Sequence, residues 1–125
     1  MGEFNKQYDL EDRTLKFSIM TRDFIKNLLY SISNKIYIRQ VIRSSSSIGA
    51  NYIEANEAVS DKDFLHRAKI SKKEAKETIY WLNLIECSDY YSENCKKEII
   101  TECTEIMNIL GTIIINKKNR EENKR

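Results

Sequence analysis

The chain contains no proline, and only Gly2, Gly49 and Gly111 supply glycine. Proline breaks a helix interior and glycine weakens it, so a sequence nearly free of both can sustain long helices. None of the Asn-Gly, Asp-Gly or Gly-Gly pairs that close tight hairpins occurs, which argues against an all-β fold. Long apolar runs are missing as well. The longest, Ile109 to Ile115, is interrupted by Gly111 and Thr112, well short of the ~20 residues that cross a bilayer. The N-terminus lacks the basic-then-apolar layout of a signal peptide, and Lys6 breaks a myristoylation pattern after Gly2. The expectation is a cytoplasmic protein with no membrane contact.

Catalytic and metal-binding patterns are equally scarce. Cys87, Cys95 and Cys103 are odd in number and form no Cys-x-x-Cys pair, so neither a disulfide scaffold nor a zinc site is suggested. Three reduced thiols are expected, with Cys103 in the core. The single histidine, His66, falls opposite the apolar stripe of its helix, and acid–base work needs an orienting partner. No Glu-x-x-His pair, Gly-x-Ser-x-Gly elbow or phosphate-cradling glycine loop is present. The expectation is a protein that is not an enzyme and needs no cofactor or metal.

What is present is amphipathic periodicity. The 125 residues fit one domain, and four segments repeat apolar residues at helical spacing. The first opens at Asp9, a plausible cap with Asp12 three residues on, and carries Leu10, Phe17, Met20, Phe24 and Leu28 on one face. Ser33 or Asn34 can cap the second, about 35–58, whose inner side reads Ile38, Val41, Ile42, Ser45, Ile48, Gly49, Tyr52 and Asn56. Ser44 to Ser47, Gly49 and Ala50 are indifferent helix formers in part, so packing must hold this stretch. Ser60-Asp61-Lys62-Asp63 starts the third helix, about 61–88, with Phe64, Leu65, Ala68, Ala75, Ile79, Leu82 and Ile85 along one stripe. After a turn at 89–92, with Ser92 as cap, the fourth offers Ile99, Ile100, Cys103, Ile106, Met107, Leu110, Ile113 and Ile114. Short links between such helices favour an all-α, antiparallel up-down-up-down four-helix bundle over residues 1–116. Residues 117–125 form a charged tail without apolar side chains, expected to be frayed or disordered.

Three features do not belong to the core pattern. Lys62, Lys69, Lys73 and Lys76 share one sector of helix three, with Lys72 at its border and Tyr80 extending the line. A single-signed row on a rigid helix can track phosphates; an ordinary solvated lysine face is the plain alternative. Arg43, Ser47, Asn51 and Glu54 follow steps of four, four and three on helix two, opposite its apolar stripe, either as a solvated line or as a polar contact surface at an oligomer interface. Leu15 and Ile19 sit on the back of helix one, and with Ile70 and Trp81 off the core stripe they suggest a subunit interface. The formal net charge of +2 neither demands nor excludes a nucleic acid.

The run Arg43-Ser44-Ser45-Ser46-Ser47-Ile48-Gly49-Ala50-Asn51-Tyr52-Ile53-Glu54-Ala55 resembles the signature of the four helix bundle protein family, also called the S23 or 23S rRNA intervening-sequence protein family. Phe64-Leu65, Ala68, Ser71 and Glu74 look like its second half, and Tyr80-Trp81-Leu82 like a common ending. The similarity spans about Tyr8 to Leu110, with one departure at Asn56, where many relatives carry glycine. The resemblance implies an up-down bundle. By analogy with the accessory variability protein of diversity-generating retroelements, it also implies a homopentamer with nucleic acid and a reverse transcriptase as partners. The expected function is a non-enzymatic homo-oligomer that binds RNA or DNA through basic outer surfaces. The alternative is a docking module for a partner protein such as a reverse transcriptase, with no nucleic-acid role.

Overall fold

The computed structural model describes residues 6–124, and side chains from Leu10 onward. Four helices follow in order: α1 (Lys6–Lys26), α2 (Ile32–Asn56), α3 (Asp61–Leu84) and α4 (Tyr90–Asn123). Among the described residues there is no strand. Each helix packs on its neighbour in sequence, and α1 closes the ring against α4, giving the expected antiparallel four-helix bundle. The α2–α3 contact is the most extensive and the α1–α4 contact the least.

The register of this ring follows from alternating steps of three and four. On α1 the buried residues are Leu10, Thr14, Phe17, Thr21 and Phe24; on α2 the series is Val41, Ser45, Ile48, Tyr52 and Ala55. Such spacing keeps one seam of each helix facing its partners along the whole bundle. The ten residues expected in the core, Phe17, Phe24, Val41, Ile48, Ala68, Ala75, Leu82, Cys103, Ile106 and Leu110, are all buried. Nine of them join one cluster, while Ala68 packs with Ala55, Leu65 and Ile114 in a smaller second one. Two expected inner residues lie outside. Met20 is 36% exposed and Ile42 49%, because the seam positions beside them are taken by Thr21 and Val41.

Hydroxyls occupy much of the seam, and each finds a partner that does not disturb the helices. Thr14 and Thr21 donate to the Glu11 and Phe17 carbonyls one turn back. Ser44 donates to the Gln40 carbonyl, and Thr78 lies 2.8 Å from the Ser44 hydroxyl while also reaching the Glu74 carbonyl. Ser71 donates across the α2–α3 interface to the Ile48 carbonyl at 2.7 Å. Buried hydroxyls satisfied in this way cost little and permit closer helix approach than Leu or Ile would.

The helix ends depart from expectation in instructive ways. Ser60 caps α3 by accepting from the Asp63 amide, as the sequence suggests. The α2 cap is Ser31, not Ser33 or Asn34, and the α4 cap is Asp89, not Ser92. Asn34 is instead buried inside α2, where its amide donates to the Glu86 carbonyl and accepts from the Glu86 N–H, at 2.8 and 2.9 Å. That two-point bond ties the start of α2 to the α3–α4 loop. The cap role of Asp9 falls outside the described side chains, and the backbone there is already helical. α3 stops at Leu84 and Ile85 is its C-cap. The fourth helix runs on to Asn123, beyond the end expected near Asn116. Lys117 and Lys124 both reach Asp61, at 3.2 Å each, and Lys117 lies over the Phe64 ring. These cations, Lys117 foremost, hold the Asp61 carboxyl below its ordinary range.

The two helical glycines make opposite demands. A Cβ at Gly49 would meet the Thr14 Oγ1 at 2.9 Å and its Cβ at 3.2 Å, whereas at Gly111 the nearest atom is the Lys72 Nζ at 3.6 Å. Gly49→Ala gains up to ~1 kcal/mol of helix propensity but overpacks a tight crossing at a cost of roughly 1–3 kcal/mol. Gly111→Ala gains the propensity with only a flexible lysine end to move. Urea denaturation is expected to show the first variant less stable than wild type and the second equal or more stable by up to ~1 kcal/mol. An equally stabilised Gly49→Ala would mean that α1 and α2 do not approach closely at Thr14.

Candidate nucleic-acid interface

The lysine row is assembled on the flank of α3 that turns toward α4. Lys62, Lys69, Lys72, Lys73 and Lys76 are all exposed, and the Lys72 ammonium lies against Gly111 of α4. Only Lys73 has an acidic neighbour among the described residues, Glu77 at 3.9 Å. α4 adds to this face through an exact heptad series: Tyr90, Lys97, Thr104, Gly111 and Lys118. Residues seven apart drift by ~20° around a helix, so Lys118 lies within about 20° of the side that Gly111 presents to Lys72, Lys97 within about 40° and Tyr90 within about 60°. Lys97 and Lys118 escaped sequence reasoning because α4 alone gives no sign of which of its polar flanks meets α3.

Several acids of the same two helices are drawn to the other flanks, whereas Asp61 of α3 stays on this side, paired with Lys117 and Lys124 of α4. Arg43 of α2 forks between Glu74 and Glu77 of α3, with one contact of 3.1 Å to each. Arg13 of α1 grips Glu102 of α4 through two nitrogens, at 2.7 and 2.8 Å, and reaches Glu105 at 3.0 Å. The Glu102 bond is the largest influence holding this guanidinium protonated. Asp63 lines a cleft with Glu54, Glu57 and Arg67 on the α2 side. Along this flank the exposed ammonium groups of Lys62, Lys69, Lys72, Lys73 and Lys76 outnumber the acids, of which Asp61 is already paired with Lys117 and Lys124. A multivalent polyanion can neutralise such a row and release its own counterions.

The other sequence candidates are placed differently. The line Arg43, Ser47, Asn51 and Glu54 lies on the α2 flank beside α3, not opposite the core seam. Arg43 is committed to its two glutamates, and Asn51 donates to the Ser47 carbonyl and accepts from Arg67 at 3.4 Å. Ser47 donates to the Arg43 carbonyl, which leaves Glu54 exposed at the end of the line. Leu15 and Ile19 are exposed, by 59% and 40%. The structure adds Ile42 and Ile53, exposed on α2, on the flank that borders α1. Ile70 is half-buried, and Trp81 packs on the core and stacks on Tyr37 with centroids 6.3 Å apart. Trp81 therefore has an occupation inside its own bundle. The departure at Asn56 is also explained locally: its amide donates to Glu11 at 2.6 Å, joining the end of α2 to α1.

His66 is exposed and lines the same cleft as Asp63 and Arg67. Among the described residues, no three His, Cys, Asp or Glu side chains gather as a metal set. No helix of the described residues is long and apolar enough to cross a membrane. A groove of about 430 Å³ between α1 and α4 is lined by Ile19, Met20, Phe24, Tyr91, Cys95 and Ile99 together with Lys16, Asp23 and Glu98.

Comparison with known proteins adds two similarities. The family model described as 23S rRNA-intervening sequence protein matches residues 6–112. A crystal structure from Bacteroides thetaiotaomicron VPI-5482, described as a protein with unknown function from the S23 ribosomal protein family, shares 35% identity at a TM-score of 0.74. The match covers 84% of this chain and 97% of that one. No curated protein matches this chain.

The thiols allow a test of how tightly the α3–α4 seam is closed. Cys103 is fully buried, bonded to the Ala75 carbonyl at 3.3 Å, and burial pushes its thiol up to about 12. Cys87 and Cys95 are half-buried and free, and burial also raises Cys87. An aromatic disulfide reagent at pH near 8 is expected to label Cys87 and Cys95 in the native protein and Cys103 only after unfolding. Native labelling of Cys103 at a similar rate would show the seam to be open.

Proposed function

The chain belongs to the 23S rRNA-intervening sequence protein family, and from that premise we propose that it is a non-enzymatic, homo-oligomeric protein that binds nucleic acid, RNA foremost, through phosphate contacts on its α3–α4 face. The observation that carries this reading is the segregation of charge. Arg43 and Arg13 occupy Glu74, Glu77, Glu102 and Glu105 on the far flanks. Lys62, Lys69, Lys72 and Lys76 are left without an ion pair among the described residues. Formal net charge is only +2, so attraction depends on this local arrangement and not on the total. Each lysine that meets a phosphate adds to a steep salt dependence and none to sequence preference.

Self-association is supported by a separate observation on the opposite side of the ring. Leu15, Ile19, Ile42 and Ile53 are exposed on α1 and α2, where a solitary bundle gains nothing from them. Copies joined through that face would keep their lysines outward, and burying it would add stability to a small domain. The subunit number five rests on the family resemblance. A partner protein such as a reverse transcriptase is the competing occupant of the apolar face.

Two measurements test these proposals. Reversing Lys69, Lys73 and Lys76 to glutamate is expected to abolish a low-salt gel shift with RNA while circular dichroism stays helical. Wild-type binding should weaken steeply with salt, by a slope near −0.7 in log–log terms for each single-strand phosphate neutralised. Equal binding by the triple variant would reduce the row to a solvated face. For assembly, light scattering at tens of micromolar protein is expected to give a mass of several chains, and Ile19→Glu should split it into helical monomers. A monomeric wild type would remove the self-association proposal and leave the apolar face to a different protein.

A further inference from the structure

The lysine row ends in aromatic rings. Tyr80 on α3 is 61% exposed and Tyr90, the first residue of α4, is 81% exposed. Both stand at the same end of the bundle, since α3 and α4 are antiparallel neighbours joined by the short loop between Leu84 and Tyr90. Tyr90 lies three heptads before Gly111 and about 60° around α4 from it, on the α3 side of the outer surface, with Lys97 two turns further on. At ~1.5 Å per residue, Lys62 and Lys76 are separated by about 21 Å along α3, and Tyr80 lies about 6 Å beyond.

Tyr80 is also held in place. Its ring meets Trp81 edge-on, with centroids 5.2 Å apart and planes at 81°. Trp81 is anchored in turn on the core and on Tyr37. A ring braced in this way has little rotamer freedom left to lose on binding, and most of the Tyr80 side chain stays open to solvent. Exposed tyrosines on a helix surface gain nothing from water, whereas a basic track with aromatic rings is the arrangement that takes unpaired nucleotides. In a duplex the base faces are already stacked on one another, so only the phosphates are available to such a surface.

We infer that this face takes single-stranded nucleic acid, the phosphates running along Lys62 to Lys76 and unpaired bases stacking on Tyr80 and Tyr90. The inference rests on the reading of the α3–α4 face as a phosphate track and specifies the strand state it accepts. The stacking is indifferent to base identity, because every base has a π-face.

Fluorescence anisotropy at low salt with labelled probes of one mixed sequence tests it, using single-stranded RNA, single-stranded DNA and the duplex DNA. The variants are Tyr80→Ala/Tyr90→Ala, Tyr80→Phe/Tyr90→Phe and the triple lysine reversal. The alanine pair is expected to weaken both single strands by at least about tenfold while duplex binding changes less than about twofold. The phenylalanine pair should retain single-strand affinity, since the ring and not the hydroxyl stacks. If the alanine pair binds single strands as wild type does while the lysine reversal loses them, the stacking inference fails and the phosphate track stands. If the alanine pair weakens duplex and single strands equally, stacking is likewise overturned. No binding of any probe by wild type would sink both.

Discussion

Close helix approach along a seam of small and hydroxyl-bearing residues is the constraint on which the rest of this molecule depends. Gly49 faces Thr14 with no room for a methyl group, Ser71 reaches the Ile48 carbonyl, and Thr78 meets Ser44. None of these contacts is strong alone; a neutral hydrogen bond contributes about 1 kcal/mol net. Their importance is geometric. They fix how far apart α1, α2 and α3 lie and how each is rotated, because a buried hydroxyl turned away from its acceptor would forfeit its desolvation. Leu and Ile in the same places would pack at a larger separation and tolerate several registers.

Once rotation is fixed, the surface divides. Side chains at the shoulders of each seam can reach only the helix on that side, which brings Arg43 to Glu74 and Glu77 and Arg13 to Glu102 and Glu105. These pairs are partly exposed and add modestly to stability. Their larger effect is to sort charge. Glu74 and Glu77 of α3 and Glu102 and Glu105 of α4 are held toward α2 and α1, while most lysines of α3 share the remaining face with Asp61 and its α4 partners Lys117 and Lys124. The apolar side chains Leu15, Ile19, Ile42 and Ile53 lie on the other side of the ring. A nearly neutral protein thus acquires one basic face and one apolar face, and the two proposed partners, a nucleic acid and further copies of the chain, have separate places to bind.

Much of the fold was legible because its signals are local. The seam residues Phe17, Val41, Ile48, Ala75, Leu82, Cys103, Ile106 and Leu110 recur at helical spacing, and spacing along a helix is independent of the partner. The Ser60 cap was readable from four consecutive residues. Met20 and Ile42 misled because hydrophobicity alone marks a residue as inward, while the seam positions beside them belong to Thr21 and Val41. The caps Ser31 and Asp89 were missed for a related reason. Asn34 is a good cap by type, but it is used up by a bond to Glu86, 52 residues away in sequence. The fourth helix outran its apolar stripe because Lys117 and Lys124 reach Asp61 on another helix.

The same division holds for the candidate site. The row Lys62, Lys69, Lys73, Lys76 and Tyr80 was visible in the sequence, since residues at these steps share a helix face whatever surrounds them. Sequence also determined that helices would form and where α3 begins. Tertiary structure decided what the row looks at. That Lys97, Lys118 and Tyr90 join it, that Arg43 reaches Glu74 and Glu77 of α3, and that Trp81 steadies Tyr80 all depend on which flank meets which. Those meetings are set by the rotation and register of packed helices, a property of the whole bundle that no single segment of the chain contains.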